Sequence, residues 1–149
     1  MSARILDLPD PDAAAAFARR LATQLGAGDA VLLSGELGAG KTTLARAAIE
    51  ALTGETDIPS PTYTLIQSYE TRSGIPLAHA DLYRVEDPDE LDELGLEESW
   101  REGIALIEWP DRLVEYPGRR IEIELEFTPG GRRAVLRGFG GWETRLDDI

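Results

Sequence analysis

Ser34 to Thr43 reads SGELGAGKTT, and it follows an apolar run, Ala30 to Leu33, AVLL. Gly35, Gly40, Lys41 and Thr42 satisfy the pattern G-x-x-x-x-G-K-[ST], in which a glycine-rich bend joins a buried strand to a helix. Each position has a physical task. The glycines let the backbone fold back so that its N–H groups converge on one concavity at a helix N-terminus, a ready anion site. Glu36, Leu37, Gly38, Ala39 and Gly40 would supply that main-chain lining, and Gly38 and Gly40 would also keep side chains out of it. Lys41, Thr42 and Thr43 would open the following helix. Lys41 is the only lysine of the chain, the other fourteen basic residues being arginine. A slim stem carrying a compact charge reaches β- and γ-phosphates where a planar guanidinium is too broad. Thr42 would offer its hydroxyl to Mg²⁺.

Working outward, AVLLSG is the type of short apolar run that fills a parallel strand covered on both faces. Behind the bend, Leu44, Ala47, Ala48, Ala51 and Leu52 recur at helical spacing until Gly54. Upstream, RILDL alternates like a strand. PDPDAAAAFARRLATQLGAG then combines aspartates at its start, Phe17, Leu21 and Leu25 at helical spacing, and glycine after its end. Downstream, PTYTLIQSYE and IPLAHADLYR are strand-like and separated by the turn-like TRSG, which predicts a hairpin. From Glu86 to Glu98 eight carboxylates occur with no base, an acidic helical or broken-helical segment with a solvated face. GIALIEWP is a further apolar strand ended by proline. IEIELEF alternates apolar and acidic residues, TPGGR turns, and RAVLRGF resumes a strand, predicting an antiparallel hairpin with one wet face. The expected fold is α/β: a P-loop NTPase domain over residues 1–149, with a mostly parallel sheet flanked by helices and an antiparallel C-terminal hairpin.

Composition narrows the chemistry. The 149 residues suffice for one domain. No cysteine and a single histidine exclude disulfides, iron–sulfur clusters and thiolate zinc, leaving oxygen as the expected metal donor. Twenty-eight acidic against fifteen basic residues give a net charge of −13, which disfavours free-standing binding to a polyanion and points to a protein partner. MSARILDLPD lacks the apolar core of a signal peptide, so a mature N-terminus and a cytoplasmic address are expected.

A P-loop needs a second magnesium-side carboxylate at the end of a neighbouring strand. Glu108 in IALIE stands there. Asp81 in HADLYR, also after a strand-like run, is a rival or a second member. His79, two residues away, would point the same way along a strand and is either a satisfied structural residue or a participant. SPTYTL puts Thr62 and Thr64 in a loop that is either a switch closing on the γ-phosphate or a plain turn into a strand. Trp100 and Trp109 read as packing anchors. Arg84, Arg132 and Arg133 are candidates to neutralise phosphate charge. The chain has no asparagine, so an Asn-Lys-x-Asp guanine reader is absent and Ras-like GTP specificity is excluded. A small-molecule kinase remains open chemically, although the chain has little length for a lid. A nucleotide-binding module without hydrolysis is also open.

Taken in order, GELGAGKTT, SPTYTL, HADLYR and IEWP resemble the TsaE (YjeE) family, small ATPases that support synthesis of the threonylcarbamoyladenosine modification of tRNA. The motifs lie between Gly35 and Pro110. The resemblance implies a P-loop ATPase that binds ATP with Mg²⁺, has the TsaD and TsaB proteins as partners, and turns over ATP for repeated cycles of modification. The acidic surface predicts that tRNA is met only through protein contacts, and a loop such as SPTYTL that orders when a partner docks predicts slow turnover alone. The resemblance also implies roles: Lys41 as phosphate ligand, Thr42 and Glu108 on the Mg²⁺ side, and Thr43 and Asp81 as nucleotide-site residues needed for hydrolysis. Trp109 is similar to a family tryptophan adjoining that site. The terminal segments carry no motif that would assign adenine contacts.

Overall fold

The computed structural model describes residues 3–59, 61 and 65–149. In chain order the elements are β1 (Ala3–Leu8), α1 (Pro11–Gln24), β2 (Ala30–Gly35), α2 (Lys41–Thr53), β3 (Ile66–Glu70) and β4 (Pro76–Asp81), then α3 (Asp89–Leu94), α4 (Leu96–Glu102), β5 (Ile104–Glu108), β6 (Arg120–Thr128) and β7 (Gly131–Phe139). The seven described strands form one sheet in the order β1-β7-β6-β2-β5-β4-β3. Its four central strands, β6, β2, β5 and β4, run parallel. The edges are antiparallel: β3 against β4 on one side, and β7 then β1 on the other.

Burial explains the sequence patterns. Ala30 to Leu33 and all of β5 are buried, because helices or loops cover both faces of the sheet at its centre. Successive side chains of β2 point to opposite faces. Val31 and Leu33 pack with Phe17, Leu21, Leu44 and Ile49 of α1 and α2. Leu32 meets Ile107, Leu82, Leu91 and Leu96 on the other side. Along β6, by contrast, only Ile121, Ile123 and Leu125 are buried, and Glu122, Glu124 and Arg120 lie half-exposed between them.

The helix boundaries follow local chemistry. Asp10 caps α1 by accepting from the Ala13 N–H at 2.8 Å, and Pro11 occupies the first turn, where its missing donor costs nothing. Gly54 ends α2 at φ +79°. The buried stripe of α2 is Leu44, Ala45, Ala48 and Ile49, rotated from the expected face. Ala47 and Leu52 pack at its margin and Ala51 is half-exposed, because α2 lies against the sheet and alongside α1 at once.

The expected antiparallel C-terminal hairpin is present, β6 against β7, and two further features are tertiary. β6 also pairs parallel with β2, which joins the hairpin to the parallel centre of the sheet. The C-terminal segment is anchored by a buried polar knot that the sequence does not announce. Asp29, at the start of β2, accepts from Trp142 Nε1 at 3.1 Å, Arg119 Nε at 2.6 Å and the Gly26 N–H at 2.8 Å. Among the described residues no helix is long and apolar enough to cross a membrane.

Candidate active site

The strand-to-helix bend lies where β2 delivers its C-terminal end to α2. Gly35 has φ +138°, and a Cβ there would fall 2.5 Å from the Leu125 carbonyl of β6, so close backbone approach requires glycine. Gly38 (φ +84°) and Gly40 (φ +104°) are required for another reason, their left-handed backbone, and a Cβ at either would meet nothing within 4 Å. The Ala39 N–H is turned inward, donating to Glu36 O at 3.0 Å, and the Ala39 side chain is buried. The amides at the start of α2, from Lys41 to Thr43, have no partner one helical turn earlier and remain for an anion.

Lys41 is only 5% exposed. Its Nζ donates to Gly35 O at 2.7 Å and Glu36 O at 2.9 Å and lies 4.1 Å from the centre of the Trp109 ring. The ammonium is thus held inside the bend by two carbonyls and an aromatic face. Burial pushes the Lys41 pKa down, and Glu108 and Asp81 act against that shift. Trp109 is more than a packing anchor. It adopts φ +59°, donates its N–H to Leu33 O at 3.1 Å, and tilts against Tyr83 with ring centres 4.9 Å apart. A non-glycine residue in that conformation persists where surrounding contacts hold it.

The acidic candidates meet in register. Leu33 of β2 pairs with Glu108 of β5, which pairs with Asp81 of β4, so both carboxyl groups stand at the same end of adjacent parallel strands. Thr42 Oγ1 donates to Glu108 Oε1 at 2.6 Å, and His79 Nε2 lies 2.7 Å from Glu108 Oε2. Lys41, Thr42, Asp81, Glu108, Trp109 and Arg84 share a cleft of about 380 Å³. Leu37, Gly38, Gly40 and Thr43 also reach it. Glu36 contributes the carbonyl that receives Lys41.

Asp81 accepts from the Tyr83 N–H at 3.1 Å. Burial raises its pKa, the neighbouring Glu108 adds to the rise, and the Tyr83 N–H, His79 and Lys41 oppose it. A carboxyl whose folded pKa lies above its unfolded value disfavours the fold once both states are ionised, and has no effect when both are protonated. Asp81→Asn is therefore expected to raise the melting temperature of the nucleotide-free protein at neutral pH. The gain should fade as pH falls through the raised folded value toward the ordinary carboxylate value, as thermal melts at pH 7 and pH 3 would register.

Of the arginine candidates, Arg132 donates to Ala39 O at 3.2 Å, approaches Gly38 O at 3.5 Å, and stacks on Phe127, buttressing the bend from outside. Arg133 faces away, toward Glu126 and Asp7 on the exposed face of the sheet. Thr62 and Thr64 lie outside the described residues. A second cleft, of about 270 Å³, opens on the other side of the bend between Leu8, Pro9, Pro11, Ala14, Leu44 and Leu125. No sequence motif signals it, because its walls come from three distant segments.

Among the described residues no three His, Asp or Glu side chains gather into a metal cage. Mg²⁺ does not need one: it keeps waters and takes one or two protein oxygens beside substrate phosphates. The adjacent Thr42 hydroxyl and Glu108 carboxyl fit that requirement.

A family model described as "Threonylcarbamoyl adenosine biosynthesis protein TsaE" matches residues 8–135, a span covering β2, the bend, Asp81 and Glu108. The chain belongs to the TsaE family. The TsaE of Rickettsia felis is 43% identical over 121 residues, covering 78% of this chain and 69% of the relative. That of Nostoc sp. is 42% identical over 125 residues, covering 80% and 76%. The crystal structure of Bacillus subtilis YdiB superposes with a TM-score of 0.76 at 28% identity, covering 99% of this chain and 93% of that one. The fold is thus a P-loop NTPase fold with a sheet parallel at its centre. The TsaE family serves the biosynthesis of threonylcarbamoyladenosine in tRNA.

Proposed function

We propose that this chain, acting as one P-loop domain over residues 1–149, is a cytoplasmic ATPase that supports threonylcarbamoyl modification of tRNA by acting on the TsaB–TsaD pair. The observation that carries this reading is the single cleft in which a buried lysine, a helix N-terminus and two strand-end carboxyl groups converge. A cleft so arranged suits a triphosphate more than an ordinary polar substrate, because the amides and Lys41 provide concentrated positive potential in an otherwise acidic molecule.

Water attacks the γ-phosphorus in line, a P–O bond forms, and the bond to the β-phosphate oxygen breaks, giving ADP and phosphate. Charge builds on the γ-phosphate oxygens, where Lys41 and the amides of α2 meet it without having to reorganise. The Thr42 hydroxyl and Glu108, directly or through water, would hold Mg²⁺, which when bound would supply further neutralisation of phosphate charge. Asp81 orients the attacking water, and burial raises its pKa, which favours its receiving the proton that water loses. Thr43 begins the helix on the same cleft and adds its amide. The apolar second cleft, which shares Gly38, Gly40 and Thr43 with the first, is of a size and polarity to take the base.

The net charge of −13 works against direct binding to tRNA, so the route to tRNA runs through protein partners. γ-Labelled ATP incubated with the protein, alone and with TsaB–TsaD, tests the reading. Label is expected in inorganic phosphate, released faster when the partners are present. Label transferred to a metabolite would indicate a kinase, and no release under either condition would indicate a module that only binds nucleotide.

A further inference from the structure

The one histidine of the chain is unused in the mechanism above, yet it makes one of the shortest contacts of the site. We propose that His79 is a positioning residue that holds the Glu108 carboxylate in its working orientation through a Nε2–H bond to Oε2. This rests on the ATPase reading and adds a residue to it.

His79 is 0% exposed and Glu108 1%, so the imidazole meets the carboxyl within the sheet and touches no substrate. The pairing is built by register: β4 and β5 are parallel neighbours, and His79 is aligned with Leu106, two residues before Glu108. The carboxyl is gripped at both oxygens, Oε1 by Thr42 and Oε2 by His79. A glutamate side chain has three rotatable bonds, and a single contact leaves the orientation of its head group loosely set. Once the Thr42 hydroxyl turns to other work in the cleft, His79 is the contact that keeps Oε1 aimed at the phosphate cradle. The other ring nitrogen, Nδ1, is buried and has no partner among the described residues. Nε2 is therefore the ring nitrogen through which the imidazole is tied to the site. Hydrogen-bond partners of this kind behind a metal-side carboxylate commonly contribute about 10- to 100-fold to activity or metal affinity.

A histidine that merely fills space would be replaceable by an apolar residue, so His79→Leu and His79→Gln separate the two cases. Glutamine keeps an N–H donor at similar reach; leucine keeps only bulk. With TsaB–TsaD present, His79→Leu is expected to lower kcat about 10- to 100-fold. KM for ATP, and ADP affinity measured by calorimetry without Mg²⁺, should stay within about threefold of wild type, since the cradle is untouched. His79→Gln should recover most of kcat. A second readout needs no turnover: in ¹⁵N-labelled wild-type protein the single imidazole should show a slowly exchanging Nε2–H, and Glu108→Ala should abolish the protection.

Wild-type kcat in His79→Leu, equal impairment of the Leu and Gln variants, or an imidazole signal indifferent to Glu108→Ala would each overturn the proposal. Should His79→Leu fail to bind ADP and prove unfolded, the Gln variant and the imidazole signal decide. If wild-type protein releases no phosphate even with its partners, the ATPase reading falls instead. The imidazole signal still decides whether His79 holds Glu108.

Discussion

Lys41→Ala is expected to reduce ATP turnover by about 10²- to 10³-fold, the usual loss when one preorganised stabiliser of transition-state charge is removed. The fold should survive. Lys41 itself lines the cleft, so water can take the place of the ammonium beside the Gly35 and Glu36 carbonyls, and no apolar layer is opened. A stability change of about 1 kcal/mol or less follows, since each such bond makes a modest net contribution and a partly desolvated charge is removed as well. Phosphate release assayed beside a thermal melt checks both halves. Lys41→Arg should be nearly as inactive. A planar fork cannot sit between two carbonyls less than 3 Å from one nitrogen and the face of Trp109 4.1 Å away. That geometry answers why the only lysine of an arginine-rich set of bases stands at this position.

Glu108→Ala is expected to cost as much activity, about 10²- to 10³-fold, and to weaken the fold too. Removing the carboxyl strands the fully buried His79 Nε2, and one buried unsatisfied group costs about 1–3 kcal/mol, whereas Thr42 Oγ1 lines the open cleft and can turn to water. Glu108→Gln separates the two effects. Its amide oxygen can accept from His79 while its NH₂ donates to the Thr42 hydroxyl, which also accepts, so every partner stays satisfied. Stability near wild type with turnover still lost is therefore the expected result for Gln, measured by denaturant unfolding and phosphate release. Turnover retained in the Gln variant would mean that the negative charge of Glu108 is not what the site uses.

The family resemblance, read from four short motifs, is matched by the family model over residues 8–135, a longer span than the motifs themselves. The motifs are legible because each joins local pieces: a strand end, a bend, a helix start. Arg132 and Arg133 show the limit of such reading. They are adjacent in sequence and chemically equal, yet along a strand they point to opposite faces. Arg132 meets the carbonyls of the bend, whereas Arg133 meets exposed carboxylates.

What the sequence by itself determined was whatever depends on neighbours within about one helical turn or one strand. The glycine bend between AVLL and an amphipathic helix, the cap at Asp10, the stop at Gly54 and the alternation of β6 all rest on backbone preference and periodicity, which a short window contains. Tertiary structure alone decided that β6 lies beside β2 and that the apolar second cleft exists. It also decided that Asp81, Glu108 and Leu33 stand level across three strands and that His79 closes on Glu108. Strand pairing joins residues far apart in the chain. Its register depends on how two faces of a sheet are covered together, and that information is spread over the whole molecule.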